Sequence, residues 1–508
     1  MTSKTLINAH SERILSRIFI AIAFVVFLYL FVSSFFFSYV NVDLYTEHVF
    51  PYKDNVLLNV LIPAIIILFI VLLKQYHLKV NVRFIAVILS LITCALSLYW
   101  VKNSGTFPVA DQWFVCEVAT ELDYGNFSQF SKGGYVAECP HQLGLITLLY
   151  ILQKLFGPFN YQAFQVLSAL SSGVIVYLTY KLTEALTHDQ LAELLSVFFA
   201  FLCLPLYFYT AFVYGEILSV ALSLIGFYLF LTINEEFCIW KIVCFWLCIA
   251  GMVLVKKNTM IPIVAMVGVT AVKFFRNTEK KWAAILIAIA AGLLLQRSVI
   301  YNQYSSYMKK DAKEIPAILY VAMGTNDDGG NAGWWNGLNK FAFEENDCDP
   351  IKATEYGKKY IGMFLDKCRR KPEYILDFYG RKTETQWNAP MCQSIVMNGY
   401  IPKEKSEFTK TIYFNKAVWN FMDDYMNIHQ LMMYGSIVFL LHKTFKHPKH
   451  LEFYVGLIAV FGGFLFSLIW EAKTRYIFPY VMMMLPYAAI GLRMIVYQTE
   501  EFFHPNKC

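Results

Sequence analysis

The stretch VLLNVLIPAIIILFIVLL, from Val56 to Leu73, contains no charged side chain. A helix crossing ~30 Å of hydrocarbon needs about 20 mostly apolar residues, so a run of this kind reads as a membrane span. Comparable runs occur at Ile14–Tyr39, Phe84–Trp100, Tyr161–Tyr180, Leu191–Tyr209, Ile217–Ile233 and Ile239–Val255. They resume at Met260–Phe274, Trp282–Leu295, Ile428–Leu441, Phe453–Trp470 and Ile477–Val496. The fold class expected is therefore an all-α polytopic membrane protein of about twelve transmembrane helices.

Composition agrees. Of 508 residues, 57% are hydrophobic and only 16% charged, against roughly 25% charged in soluble domains. These values exclude a disordered chain, a coiled coil and a disulfide-rich secreted scaffold. The net charge of +6 sits largely in short loops and reads as a topology signal, with no nucleic-acid partner expected. Lys4, Arg13, Arg17, Lys74, Lys79, Arg83, Lys181, Lys241, Lys273, Arg276, Lys280, Lys281, Lys443, Lys446, Lys449 and Arg493 fall on one face when the runs are threaded in order. The positive-inside rule then places both termini in the cytoplasm of a multi-pass plasma-membrane protein.

That threading divides the chain into residues 1–100, an N-terminal three-span segment, and 101–160, a first large outer loop. Residues 161–296 form a transmembrane core, 297–427 an extracytoplasmic cap of mixed structure, and 428–508 the last spans. Helices are expected in the cap around Ile351–Cys368 and Pro372–Thr385, with loop signals at Gly324-Thr-Asn-Asp-Asp-Gly-Gly-Asn. The outer cysteines, Cys116, Cys139, Cys348, Cys368 and Cys392, have no framework spacing and allow one or two disulfides.

Charges beside apolar runs are expensive and mark functional candidates. Four such places come to the outer face. Asp111, in Phe107-Pro-Val-Ala-Asp-Gln-Trp, can act as a general base or as a helix N-cap. Glu216 is wedged between two apolar runs, where it can orient a substrate hydroxyl or snorkel to water. Lys256 and Lys257 run against the positive-inside bias, which an anionic phosphate or a pairing with Glu216 would offset. Glu471-Ala-Lys473-Thr-Arg475-Tyr476 offers Lys473, Arg475 and Tyr476 for phosphate capture or headgroup anchoring. His141 follows Glu138-Cys-Pro, a spacing with weak metal-binding character. Trp334, Trp335 and Trp387 are candidates to stack on sugar rings, or are core.

Together these groups suit glycosyl transfer from a lipid-linked sugar, whose phosphate leaves as a weakly basic oxyanion that cations stabilise. The polytopic lay-out and several short motifs resemble the GT-C superfamily, the relatives of protein O-mannosyltransferases and of the aminoarabinose transferase of lipid A. Asp111-Gln-Trp is similar to the acidic motif of that group's first outer loop. Pro140-His-Gln-Leu-Gly-Leu resembles its His-Pro-rich stretch with the order reversed, and Lys256-Lys-Asn its Thr-Lys-Gly turn. Arg475-Tyr-Ile-Phe-Pro resembles the start of its late spans. Met323-Gly-Thr-Asn, Gly333-Trp-Trp-Asn and Lys382 to Trp387 look closest to Gram-positive bacterial members.

The resemblance implies an inverting, GT-C-like transferase with Asp111 as catalytic base. Glu216, Lys256, Lys257, Lys473, Arg475, Tyr476, His141 and Trp387 would bind substrate. Its partners would be a polyprenyl-phosphate-linked sugar donor, an envelope glycan, teichoic acid or lipid acceptor, and membrane lipids. No cofactor is implied, with room left for a divalent metal. The competing class is a transporter or flippase of lipid-linked sugars, which would use the same charges as a substrate path.

Overall fold

A computed structural model describes residues 3–44, 46–75, 80–276, 279–327, 330–398 and 406–503. Lys79, Asp328, Gly329 and the side chain of Lys4, read above, lie outside what is described. Among the described residues, nine helices are long and apolar enough to cross a membrane. They are Ser11–Phe36, Val56–Lys74, Val82–Asn103, Tyr161–Thr187, Glu216–Glu235, Lys257–Arg276, Lys280–Tyr304, Leu451–Ile469 and Phe478–Phe503.

The other three expected spans differ, each for a local reason. The run Leu191–Tyr209 becomes two helices, Gln190–Phe201 and Leu204–Ala211, bent by 54°. Pro205 opens the second of them, where its missing N–H and fixed φ end the first helix and start the next. Ile239–Val255 is apolar but stops at 17 residues, because Lys256 leaves the helix in an extended conformation. Ile428–Leu441 is the apolar half of a longer helix, Lys416–Lys446, which carries Asp423, Asp424 and His429 and lacks a sustained apolar window.

The cap is helical where a mixed fold was expected. Its described helices are Ala317–Gly324, Leu338–Glu345, Pro350–Arg370, Glu373–Trp387 and Glu407–Phe414. Pro350–Arg370 begins as capping rules require: Asp349 accepts from the backbone N–H groups of Ile351 and Lys352, and Pro350 follows the cap. The described strands are Phe37–Val40 and Phe50–Lys53, an antiparallel hairpin between the first two spans. Three expected boundaries, at 100, 296 and 427, fall inside continuous helices. All ten cysteines among the described residues are free.

The bundle has a centre and an edge. Phe478–Phe503 is 78% buried across its apolar window, whereas Val56–Lys74 is 11% buried and offers its surface to lipid. One end of the bundle is tied by ion pairs: Lys273 to Glu12 (2.8 Å) and Glu452 (2.6 Å), and Arg493 to Asp189 (2.8 Å). The helix starts at Glu216 and Lys257 lie at the other end, since their helices run toward those pairs.

Close helix contact at the centre rests on Gly491. A Cβ there would lie 1.9 Å from the carbonyl oxygen of Ser436 on Lys416–Lys446. Backbone cannot yield as a flexible side chain can, so Gly491→Ala is expected to cost about 1–3 kcal/mol by overpacking. Gly268→Ala, which meets nothing within 4 Å, is the matched control. Thermal unfolding of both variants in detergent checks this; equal midpoints would overturn the packing assignment.

Candidate functional site

Glu216 is the first residue of Glu216–Glu235, after Gly215 turns the chain with a φ of +87° that only glycine adopts readily. A carboxylate in the first helical turn suits the positive end of the helix dipole. One Glu216 oxygen pairs with the Lys256 ammonium, and the other is buried with no hydrogen-bond partner. Lys256 itself lies over the Tyr214 ring at 5.1 Å, and the Arg475 guanidinium faces the same ring at 5.3 Å. Glu216, Lys256, Asn258, Arg475, Tyr476 and Tyr480 line a cleft of about 410 Å³.

Arg475 sits in the turn Thr474–Tyr476, between the last two spans. The cap holds that turn in place. Ala472 N–H donates to the Gly333 carbonyl (2.8 Å), forming a short parallel bridge with Trp334. The fully buried Lys382 donates to three carbonyls: Gly324 (2.5 Å), Trp470 (2.8 Å) and Leu468 (3.1 Å). Lys473 pairs with Glu47 from the loop of the N-terminal hairpin and lies over the Trp335 ring at 4.8 Å. The Tyr476 hydroxyl donates to Glu471 (2.5 Å). Burial pushes the Glu471 carboxyl up, and it pulls the Lys473 ammonium down.

Asp111 begins the helix Asp111–Asp123. It is not the N-cap; that position is Ala110, at φ +50° and ψ −128°, and its side chain makes no capping bond. Such a backbone is strained for alanine, and strain of this kind concentrates at functional sites. The next residue, Gln112, fixes the turn: its amide donates to Met397 O (3.0 Å) and accepts from Val213 N–H (2.8 Å). Asp111 is thereby anchored to the segment leading into Glu216. Burial, then the Asp111 carboxylate, pushes the phenols of Tyr135 and Tyr214 well above their usual range. The same carboxylate acts on Lys256, Arg475, Glu471 and His141. His141 is crowded yet open to solvent. Desolvation, then Lys257, pulls its imidazole down to about 4, against the pull of Asp111.

The structure thus gathers Asp111, His141, Glu216, Lys256, Lys257, Lys473, Arg475 and Tyr476 around one region. Trp387 is not part of it. Expected to stack on a sugar, Trp387 is 1% exposed, donates to Ser467 Oγ (3.2 Å) and packs against Tyr480 and Phe464. It is core, because its helix Glu373–Trp387 ends buried against the late spans.

The ion pairs sort the cations. Lys256 and Lys473 are committed to Glu216 and Glu47. Among the described residues, Arg475 and Lys257 make no salt bridge, and Arg475 Nε has no hydrogen-bond partner. Glu47 and Tyr214 were not singled out from sequence, and Gln112 and Lys382 entered only as members of quoted motifs, without a role at the site. Glu47 carried a usable signal, since its loop joins the first two spans and threads to the same side as Asp111. Among the described residues, no three His, Cys, Asp or Glu side chains gather as a group able to hold a metal ion.

No family model matches this chain, and no curated protein does. Among solved structures it is similar to an oligosaccharyltransferase of Archaeoglobus fulgidus, solved with an acceptor peptide containing the NVT sequon tethered by a disulfide bond. The TM-score is 0.44 at 11% identity, covering 84% of this chain and 51% of that one. The chain spans about half the length of that enzyme.

Lys382 makes the site's scaffold sensitive to pH. Burial pulls its ammonium from the ordinary 10.5 to about 7. Between those values the unfolded chain holds a proton that the folded chain has released, so this group's contribution to stability rises with pH across that window. Lys382→Met removes the titration. The difference in melting temperature, wild type minus variant, is expected to widen from pH 7 to pH 10. A difference that narrows would refute the assignment.

Proposed function

We propose that this chain is an integral-membrane glycosyltransferase of GT-C type. It moves a sugar from a polyprenyl-phosphate donor to an envelope glycan, teichoic acid or lipid acceptor on the extracytoplasmic face. The observation that carries this reading is the meeting of one carboxylate, Asp111, with two cations free of salt bridges, Arg475 and Lys257, at one end of a membrane-embedded bundle.

The chemistry follows from the groups. Asp111 takes the proton from the acceptor hydroxyl, and that oxygen forms a bond to the anomeric carbon. The bond from the anomeric carbon to the phosphate oxygen breaks, and polyprenyl phosphate departs with the electron pair. Arg475, whose planar fork suits a phosphate, and Lys257 stabilise the charge that develops there. The leaving group is a weak base, so no general acid is required. Displacement from the face opposite the phosphate inverts the anomeric centre. Glu216 and Glu47 hold Lys256 and Lys473 as fixed walls of the site. His141, neutral over the working pH range, can hydrogen-bond the acceptor.

The test is sugar transfer by purified protein in lipid, with a panel of undecaprenyl-phosphate sugars and a crude envelope-glycan acceptor. Asp111→Asn is expected to lower the rate by roughly 10²–10⁴-fold, the usual weight of a general base. Arg475→Lys keeps the charge but loses the fork, and is expected to raise the donor KM more than it lowers kcat. Lipid-linked sugar crossing the bilayer without any transfer would overturn the proposal in favour of a flippase.

A further inference from the structure

A second cavity, of about 280 Å³, is lined by Asn41, Gln393, Ser394, Trp419 and Asp423 among others. It lies beside the main cleft: the Gln393 amide donates to the carbonyl of Glu47, the residue that pairs with Lys473. Its polar lining holds an unpaired amide oxygen and an unpaired hydroxyl. Gln393 and Ser394 are 1% and 0% exposed, yet Gln393 Oε1 and Ser394 Oγ have no hydrogen-bond partner. Buried polar atoms in native proteins are nearly always satisfied, so an orphaned amide oxygen and hydroxyl on one cavity wall point to a ligand that donates.

Charge sharpens the class. Asp423 lies one helical turn from Trp419, so both present on the same face of Lys416–Lys446. Asp54 and Asp424 add to the negative potential at Asp423. Among the described residues, none of the three forms a salt bridge. Ser38 donates to one Asp54 oxygen (2.9 Å), and the other is buried without a partner. The backbone that presents the wall is also strained, with Cys392 at φ +49° and Gln393 at φ +57°. An uncompensated carboxylate beside an indole is the environment that an ammonium group fills, through a charge-assisted hydrogen bond and contact with the aromatic face.

We propose that this cavity is a subsite for one amine-bearing sugar unit, with Asp423 pairing its ammonium, Gln393 and Ser394 accepting its hydroxyls and Trp419 packing against its ring. Its assignment to the acceptor rests on the transferase reading; the binding chemistry does not.

The test is ligand-observed NMR on the full chain in lipid nanodiscs, with D-glucosamine, D-glucose and N-acetyl-D-glucosamine as probes. Glucosamine is expected to bind about tenfold more tightly than the other two, the weight of one charge-assisted hydrogen bond. Asp423→Asn is expected to erase that preference, and Ser394→Ala to weaken all binding while leaving the melting temperature unchanged. Equal affinity for the three sugars, or a preference that survives Asp423→Asn, would overturn the subsite. Glucosamine binding without any sugar transfer would keep the subsite and remove its acceptor role. Transfer without a glucosamine preference would overturn the subsite and leave the transferase reading standing.

Discussion

The site depends on where one lysine nitrogen goes. Lys382 comes from a cap helix, is wholly buried, and brings its nitrogen within hydrogen-bond reach of the carbonyls of Gly324, Leu468 and Trp470. Burying such a group is costly unless its donors are satisfied, so the arrangement tolerates little slack. The carbonyls belong to the end of a cap helix and the end of the span Leu451–Ile469. Joining them fixes the start of the loop that runs through Glu471, Lys473 and Arg475. The adjacent bridge from Ala472 to Gly333 and Trp334 repeats the tie with backbone bonds.

Beyond that anchor, the cleft is organised by which charges cancel. Two lysines meet two glutamates and form neutral walls. Arg475 is surrounded by the rings of Phe212, Tyr214 and Tyr476 and keeps its charge directed into the site. Such an arrangement is preorganised: the guanidinium is already desolvated and held in orientation by the rings around it. The strained Ala110 precedes Asp111 at the start of its helix, and Gln112 ties that start to Val213 and Met397.

Some of this was readable from local sequence. Span-length apolar runs are a one-dimensional signal, and so are charges that interrupt them, which is why Asp111, Glu216, Lys256 and Arg475 stood out. The bend after Phe201 was also local, written in Pro205, although the hydropathy of Leu191–Tyr209 hid it. Partners separated by hundreds of residues were not readable. Nothing near Glu47 announces Lys473, and nothing around Lys382 distinguishes it from the exposed lysines of neighbouring cap helices. Trp387 was misjudged for the same reason: whether an indole is a surface platform or core is decided by what packs over it. The two long cap helices were legible, since amphipathic runs at Ile351–Cys368 and Pro372–Thr385 match Pro350–Arg370 and Glu373–Trp387, whereas the short helices among the Gly- and Asn-rich turns were not.

The hairpin between the first two spans has a consequence for how the protein is made. Glu47 leaves the ribosome more than four hundred residues before Lys473, and Ser33 and Tyr39 before their partners in Asn388. During synthesis the earliest spans enter the bilayer with their future contacts still unwritten. The contacts of Ser33, Tyr39 and Glu47 with Asn388 and Lys473 therefore form only after those later segments have been made.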